Sequence, residues 1–366
     1  MNLRSIEILF IILCLVIYLI ASFVYPNLIL QITVSILLGA WLVSRPSEWL
    51  AIGVGNIGKY LNLSEYAIGV LASLTAITGE ITVVVFSFLL AYMTNQAIYI
   101  ELAILATLYS ISFNFITLGL LVFVKGKKII NVPEEVLSKE LEIIDWTFIA
   151  TMLIALLWMV NVLFVGSGAS NQTLYLPREA AFLLPLGYLI YIANLRRIHY
   201  VGGTSYIAEP RLSPLQSMFF TIISVMFIVA GGKLLTDTAS ILLVGKTSIL
   251  AHYGDPLILT ALILGGSSAI YDVIINLIFV SKGQVLASVG NLIGSVIQLI
   301  MLVIGIVGIF LPIPITQYVA FELAVIGLSL YFYRQAIADQ GLDRYEGAML
   351  FLLQLFSIAL GARGFV

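Results

Sequence analysis

The sequence predicts an all-α polytopic membrane protein: about eleven transmembrane helices, one extra N-terminal helix and two inverted five-helix repeats. The composition, the length of the apolar runs and a pattern shared by the two halves predict it. Apolar residues make up 61% of the 366 and charged residues 10%, with a mean hydropathy of +1.12. A soluble domain carries about 25% charged residues. This chain has too little polar surface to face water, so lipid must be most of its solvent. A net charge of −2 gives nucleic acid nothing to bind. Cys14, the single cysteine, excludes an intramolecular disulfide and a thiolate metal cluster. No cofactor is expected, and a monomer is sufficient.

Apolar runs fall at roughly 6–25, 28–58, 66–93, 97–124, 145–165, 178–195, 215–245, 256–281, 285–311, 314–333 and 347–362. Within hydrocarbon every backbone amide needs an internal partner. These runs are therefore helices, and they are too long for barrel strands. The first run follows Arg4 but has no small-residue cleavage site, so it is expected to be retained rather than removed. Lys125–Asp145 is the most charged segment and is expected to be a solvated loop with a short amphipathic turn.

Basic residues set the orientation. Arg4, Lys59, Lys125, Lys127, Lys128, Lys139, Arg196, Arg197, Arg211, Lys282, Arg334 and Arg344 all fall on one side of this span count. The other side holds the 166–177 stretch and the 312–314 turn, with Arg178 and Lys246 as its basic residues. The N-terminus is accordingly expected in the cytoplasm, the membrane being a prokaryotic cell membrane. The acceptor pattern Asn171-Gln172-Thr173 on the far side carries little weight.

The chain then divides into residues 1–26, an extra helix; 27–197, a first repeat; 198–214, a cytoplasmic linker; and 215–366, a second repeat. GAWL over 39–42 leads to Arg45, Glu48 and then Gly79-Glu80; GGKLL over 231–235 leads to Asp237, Asp255 and then GGSS over 265–268 and Asp272. Five spans per half is an odd number, so the halves enter the membrane in opposite senses. In transporters built this way the substrate site lies at the repeat interface near the midplane.

Glu80 and Asp272 stand inside apolar spans at corresponding places. A carboxylate at the bilayer centre costs at least about 2.5 kcal/mol unless it pairs, binds a cation or meets water. Gly79, Gly265 and Gly266 are expected to loosen the helices so that carbonyls can turn toward an ion. Thr75, Thr78, Ser267 and Ser268 offer neutral oxygens. Hard cations such as Ca²⁺ take about 6–8 oxygen ligands. The two histidines, His199 and His252, sit at span ends, which disfavours iron, copper and zinc. Ser110 and Asn114 share a helix face, as do Ser295 and Gln298. Asn276 and Asn291 are candidates of equal standing as ligands or as interhelical hydrogen-bond formers. Arg45, Glu48, Lys233 and Asp237 are expected to be packing or interfacial pairs.

These motifs resemble those of the cation/calcium antiporter superfamily, which contains the sodium/calcium and calcium/proton exchangers. The likeness covers nearly the whole chain after the first helix. LNLSEYAIG over 61–69 is similar to the family's Leu-Gly-Ile-Ser-Glu-Phe-Val-Ile-Gly, and GGKLLTDTA over 231–239 to its Gly-x-Lys-Leu-Leu-Val-Asp-Gly-Ala. GNLIGSVIQ over 290–298 resembles Gly-Asn-x-Ile-Gly-Ser-x-Ile, with Lys282-Gly283 before it. RYEG over 344–347 looks like the start of the family's last helix. The resemblance implies that Glu80 and Asp272 are the central ion ligands, completed by Ser110, Asn114, Ser295 and Gln298. It implies exchange of Ca²⁺ for another cation. Gln298 resembles the calcium/proton branch and Asn114 the sodium/calcium branch. Two carboxylates balance one Ca²⁺ against two H⁺, which favours H⁺. A cation channel on the same ligands and an intramembrane enzyme with a Glu80–Asp272 dyad remain as alternatives, although HExxH, GxSxG and an intramembrane histidine are absent from the sequence.

Overall fold

The structure is a computed structural model that describes residues 3–24, 27–61, 74–75, 77–124, 130–131, 134–165, 173–199, 212–244, 249–281, 285–338 and 341–363. The motif over 62–69, Asn171, Lys246 and Lys282-Gly283 lie outside the described residues, as do Lys125, Lys127, Lys128 and Arg211.

The helices are α1 (Leu3–Leu19), α2 (Leu28–Tyr60), α3 (Thr78–Thr94), α4 (Ile98–Val124), α5 (Glu134–Val165), α6 (Arg178–His199), α7 (Pro214–Val244), α8 (Pro256–Ser281), α9 (Val285–Gln298), α10 (Gly305–Phe310), α11 (Gln317–Ala338) and α12 (Arg344–Arg363). A π-helical turn, Leu299–Ile304, joins α9 to α10 into one rod. Six helical stretches among the described residues are individually long and apolar enough to cross a membrane. Shorter apolar helices occur at Leu9–Ser22, Thr78–Thr94 and Pro256–Ile270.

Packing repeats with the halves exchanged. α2 lies along α7, and α5 lies along α11. α3 packs on α7 as α8 packs on α2; α4 meets α12 as α6 meets α10. The α2–α7 crossing is made by small residues. A Cβ on Gly39 would stand 2.8 Å from Leu235 Cγ, and one on Gly231 2.9 Å from the Val43 amide nitrogen. Between membrane helices, where lipid supplies no hydrophobic drive, such close backbone approach provides the dispersion contact. α2 has 33 residues and α7 has 31. At 1.5 Å per residue each is about 46–50 Å long, more than the roughly 30 Å hydrocarbon core.

Two sets of contacts define the ends of the bundle. At one end Leu176 N donates to Ile313 O at 2.9 Å and Asp255 N to Ala362 O at 3.2 Å, and Tyr175 bridges Pro314. At the other end Tyr60 Oη donates to Leu212 O at 2.7 Å. There a two-stranded antiparallel ladder joins β1 (Ile130–Asn131) to β2 (Gly341–Leu342), and Arg334 pairs with Asp145. The Leu176–Ile313, Tyr175–Pro314, β1–β2 and Arg334–Asp145 contacts each tie one half to the other.

Two expectations change and a third holds. In the charged 125–145 segment the described residues form β1 at 130–131 and a helix, α5, from Glu134, so the helix begins well before the apolar run. The last helix starts at Arg344, at the RYEG motif expected to open it. Asp343 caps it: Glu346 N donates to Asp343 Oδ1 and Asp343 N to Glu346 Oε2, each at 2.8 Å, a reciprocal capping box. Gly265 and Gly266 do not loosen α8, which is continuous from Pro256 to Ser281. Their role is close packing on α4. A Cβ at Gly265 would fall 2.4 Å from Ala106 O, and one at Gly266 2.8 Å from the Phe113 ring. The expected pairs do form within their helices, Arg45 with Glu48 and Lys233 with Asp237.

Candidate functional site

α4 runs through the interior of the bundle. Tyr109, Ser110 and Ile111 are fully buried on it, and α3, α8, α9, α11 and α12 all pack against it. A polar side chain on α4 therefore has no lipid or bulk water to turn to. It must find a protein partner or an ion.

Glu80 and Asp272 reach this interior from different halves. They are 4% and 3% exposed. Glu80 stands in the first turn of α3, where unpaired backbone N–H groups and the helix dipole favour negative charge. Asp272 stands well inside the continuous α8. The two carboxylates lie within electrostatic reach of each other. Ser110 Oγ donates to Glu80 Oε1 at 3.4 Å. Asn114, one turn further along α4, is 1% exposed, and neither Asn114 Oδ1 nor Nδ2 has a hydrogen-bond partner among the described residues. Leaving such a group unsatisfied costs about 1–3 kcal/mol.

The remaining candidates are placed as follows. Ser268 sits four residues before Asp272, on the same face of α8, and its Oγ donates to Gly265 O at 2.9 Å. Its hydroxyl proton is thereby spent on a carbonyl, which leaves oxygen lone pairs for a cation. Thr78 Oγ1 donates likewise to Leu74 O at 3.3 Å. Two residues on a helix are about 200° apart, so Thr78 does not share the face of Glu80. Ser295 and Gln298 are both buried on α9, which packs on α4 and α8. Gln298 Nε2 donates to Tyr188 Oη on α6 at 2.9 Å. Tyr188 was not foreseen, because it lies in an ordinary apolar run over a hundred residues away. Asn276 and Asn291 go to helix packing. Asn276 Nδ2 donates to Asp272 O at 2.6 Å, Ser288 Oγ to Asn276 Oδ1 at 2.9 Å and Asn291 Nδ2 to the same oxygen at 3.5 Å. This network locks α8 to α9 beside Asp272.

Among the described residues no three His, Cys, Asp or Glu side chains come together to hold a metal. The site offers two carboxylates surrounded by hydroxyls and amides. That donor set suits a hard cation, held mostly by neutral oxygens, and not a soft one.

The fold is shared with known proteins. Residues 216–360 match the family model described as "Sodium/calcium exchanger protein". Among solved structures, the chain is similar to the H⁺/Ca²⁺ exchanger CAX at 15% identity, covering 97% of this chain and 88% of that one, with a TM-score of 0.71. It is similar to the sodium-calcium exchanger NCX_Mj at 20% identity, covering 91% and 99%, with a TM-score of 0.57. It is similar to YfkE at 15% identity, covering 96% and 98%, with a TM-score of 0.66. No curated protein matches it. Residues 216–360 are thus similar to the sodium/calcium exchanger protein family, and the chain as a whole shares the fold of the exchangers CAX and NCX_Mj and of YfkE.

Proposed function

We propose that this chain is a secondary active antiporter that exchanges Ca²⁺ for H⁺, or for Na⁺ as the second choice, by alternating access around one site between Glu80 and Asp272. The observation that carries the reading is the meeting of these two buried carboxylates, one from each half, inside the bundle. Two carboxylates neutralise one Ca²⁺ or two H⁺. Both cargoes need the same oxygens, so they cannot cross together, and obligatory exchange follows. Ser110, Asn114, Ser268, Ser295 and Gln298 supply neutral oxygens around the ion.

Residues 27–197 and 215–366 act as the two repeats, joined by the 198–214 linker and preceded by the extra helix over 1–26. The glycine-lined α2–α7 pair offers the surface on which they slide or rock. The end carrying Tyr175 and Pro314 faces outward, with the N-terminus in the cytoplasm of a prokaryotic cell. The protein performs transport rather than covalent chemistry.

The deciding experiment is radiolabelled Ca²⁺ uptake into proteoliposomes under an imposed pH gradient and, separately, an imposed Na⁺ gradient. The reading expects saturable uptake that requires the trans cation, with the pH gradient more effective. Ca²⁺ flux without a trans cation would mean a channel.

A further inference from the structure

A third carboxylate is buried in the bundle, away from the pair just described. Glu322 lies in the second turn of α11, about 8 Å below its first residue at 1.5 Å per residue. It is 1% exposed. Tyr109 and Ser112 of α4 stand beside it. The Tyr109 and Ser112 hydroxyls face its carboxyl, although Ser112 Oγ also donates to Leu108 O at 3.2 Å and neither Oε1 nor Oε2 of Glu322 meets a partner at strict hydrogen-bond geometry among the described residues. Tyr109 and Ser112 are three apart on α4 and share a face. Ser110 and Asn114 point elsewhere around the same helix, so Glu322 occupies a different flank from Glu80 and Asp272.

The surroundings of Glu322 are acidic. Tyr109 lies within electrostatic reach of both Glu322 and Asp255. Nearer the end of the bundle, Tyr318 Oη donates to Asp255 Oδ2 at 2.8 Å and Thr316 Oγ1 to Glu101 Oε1 at 2.6 Å. Glu101 and Asp255 lie within electrostatic reach of each other. α12 contributes Gly361, whose missing side chain leaves space: a Cβ there would stand 3.0 Å from Tyr109 Oη and 3.8 Å from Glu322 Oε1. The ion pairs recorded among the described residues are Arg45–Glu48, Lys233–Asp237 and Arg334–Asp145, and none of them involves these three acids. A buried carboxylate with no basic partner needs a bound cation. Around Glu322 the free oxygens are few, and helical carbonyls are already bonded. A Na⁺ ion would lack ligands there, whereas a proton needs only one carboxylate oxygen.

We propose that Glu322, with Tyr109 beside it and the Asp255–Tyr318 and Glu101–Thr316 pairs above it, is a second cation-binding site. It holds one exchangeable proton taken up from the end of the bundle that carries Pro314. Binding at this site stands without the transport reading, but its coupling to Ca²⁺ movement rests on that reading.

The test is infrared difference spectroscopy between high and low pH on the purified full-length protein without Ca²⁺, read in the carbonyl stretch of protonated carboxyl groups. Glu322→Gln should remove one band that persists in Glu80→Gln and Asp272→Asn. Gly361→Ala keeps the carboxyl and fills the space beside it, so it should shift that band without abolishing it. It also keeps the test decisive if Glu322→Gln fails to fold. A spectrum unchanged by these variants would overturn the site. Loss of the band on adding NaCl at fixed pH would assign the site to Na⁺ and overturn the proton. In proteoliposomes, Glu322→Gln should slow pH-driven Ca²⁺ uptake about tenfold while equilibrium Ca²⁺ binding stays unchanged. Unchanged uptake alongside a lost band would overturn the coupling. If wild-type liposomes show no exchange while the band behaves as stated, the transport reading fails and the site does not.

Discussion

The two halves bring their carboxylates to the centre in different ways. Glu80 stands at the start of a helix, and Asp272 stands inside a continuous one. At Glu80 the helix end supplies positive partial charge, and Ser110 donates directly. At Asp272 the helix supplies no such end. The site there is braced from behind by the Asn276–Ser288–Asn291 network, and its helix is pressed onto α4 through Gly265. The amides differ too. Asn114 is unspent, whereas Gln298 is tied to Tyr188. The π-helical turn follows directly after Gln298, and α4 runs unbroken through Asn114. Pseudo-symmetric sequence thus yields an asymmetric site. The first half stabilises charge locally, and the second half holds geometry.

That contrast can be broken by mutation. The largest effect is expected for Glu80→Gln and Asp272→Asn. In the proposed exchange each removes one of the two charges that balance Ca²⁺, and each should abolish trans-cation-dependent Ca²⁺ uptake in proteoliposomes. Retained uptake in either variant would dissolve the pairing of the halves. Next comes Asn114→Ala. An unspent buried amide that serves an ion should be worth about 1–3 kcal/mol, a roughly 5–150-fold loss of apparent Ca²⁺ affinity in uptake kinetics. If Asn114 were merely a packing residue, affinity would hold and thermal stability alone would fall.

Packing on the second half makes the third prediction. Gly265→Ala forces a methyl group against Ala106 O and should cost about 1–3 kcal/mol by overpacking. Gly294→Ala meets nothing within 4 Å and should be close to neutral. Thermal unfolding of the two variants in detergent separates them, and equal melting temperatures would remove the close-packing role. The smallest effect belongs to Tyr188→Phe. It deletes one neutral hydrogen bond to Gln298, worth about 0.5–1.5 kcal/mol. Ca²⁺ half-saturation should rise about 2–12-fold with maximal rate unchanged. A larger effect than that of Asn114→Ala would reverse the asymmetry.

Much of this was legible in the sequence. Glu80 and Asp272 stand out because apolar spans of this kind rarely carry carboxylates, and the glycine and hydroxyl runs before them mark the same places in both halves. Helix limits followed the apolar runs except where polar residues continue a helix beyond them, as at Glu134, and in the 66–93 run, where a turn at Ile77 precedes a helix that starts at Thr78. The glycines were visible, but whether they bend a helix or admit a neighbour depends on what α4 presents at Ala106 and Phe113. Glu322 lies in an equally apolar run but lacks the preceding glycine and hydroxyl run that marks Glu80 and Asp272. Its neighbours Tyr109 and Ser112 come from α4, over two hundred residues away, and no local pattern encodes that meeting. Gln298 and Tyr188 meet in the same way from 110 residues apart.

The central claim is that one Ca²⁺ is held jointly by Glu80 and Asp272. Equilibrium binding of radiolabelled Ca²⁺ to purified wild-type protein, Glu80→Gln and Asp272→Asn addresses it most directly. One ion per wild-type chain and none in either single variant is the predicted result. Unreduced Ca²⁺ binding in either variant would contradict it.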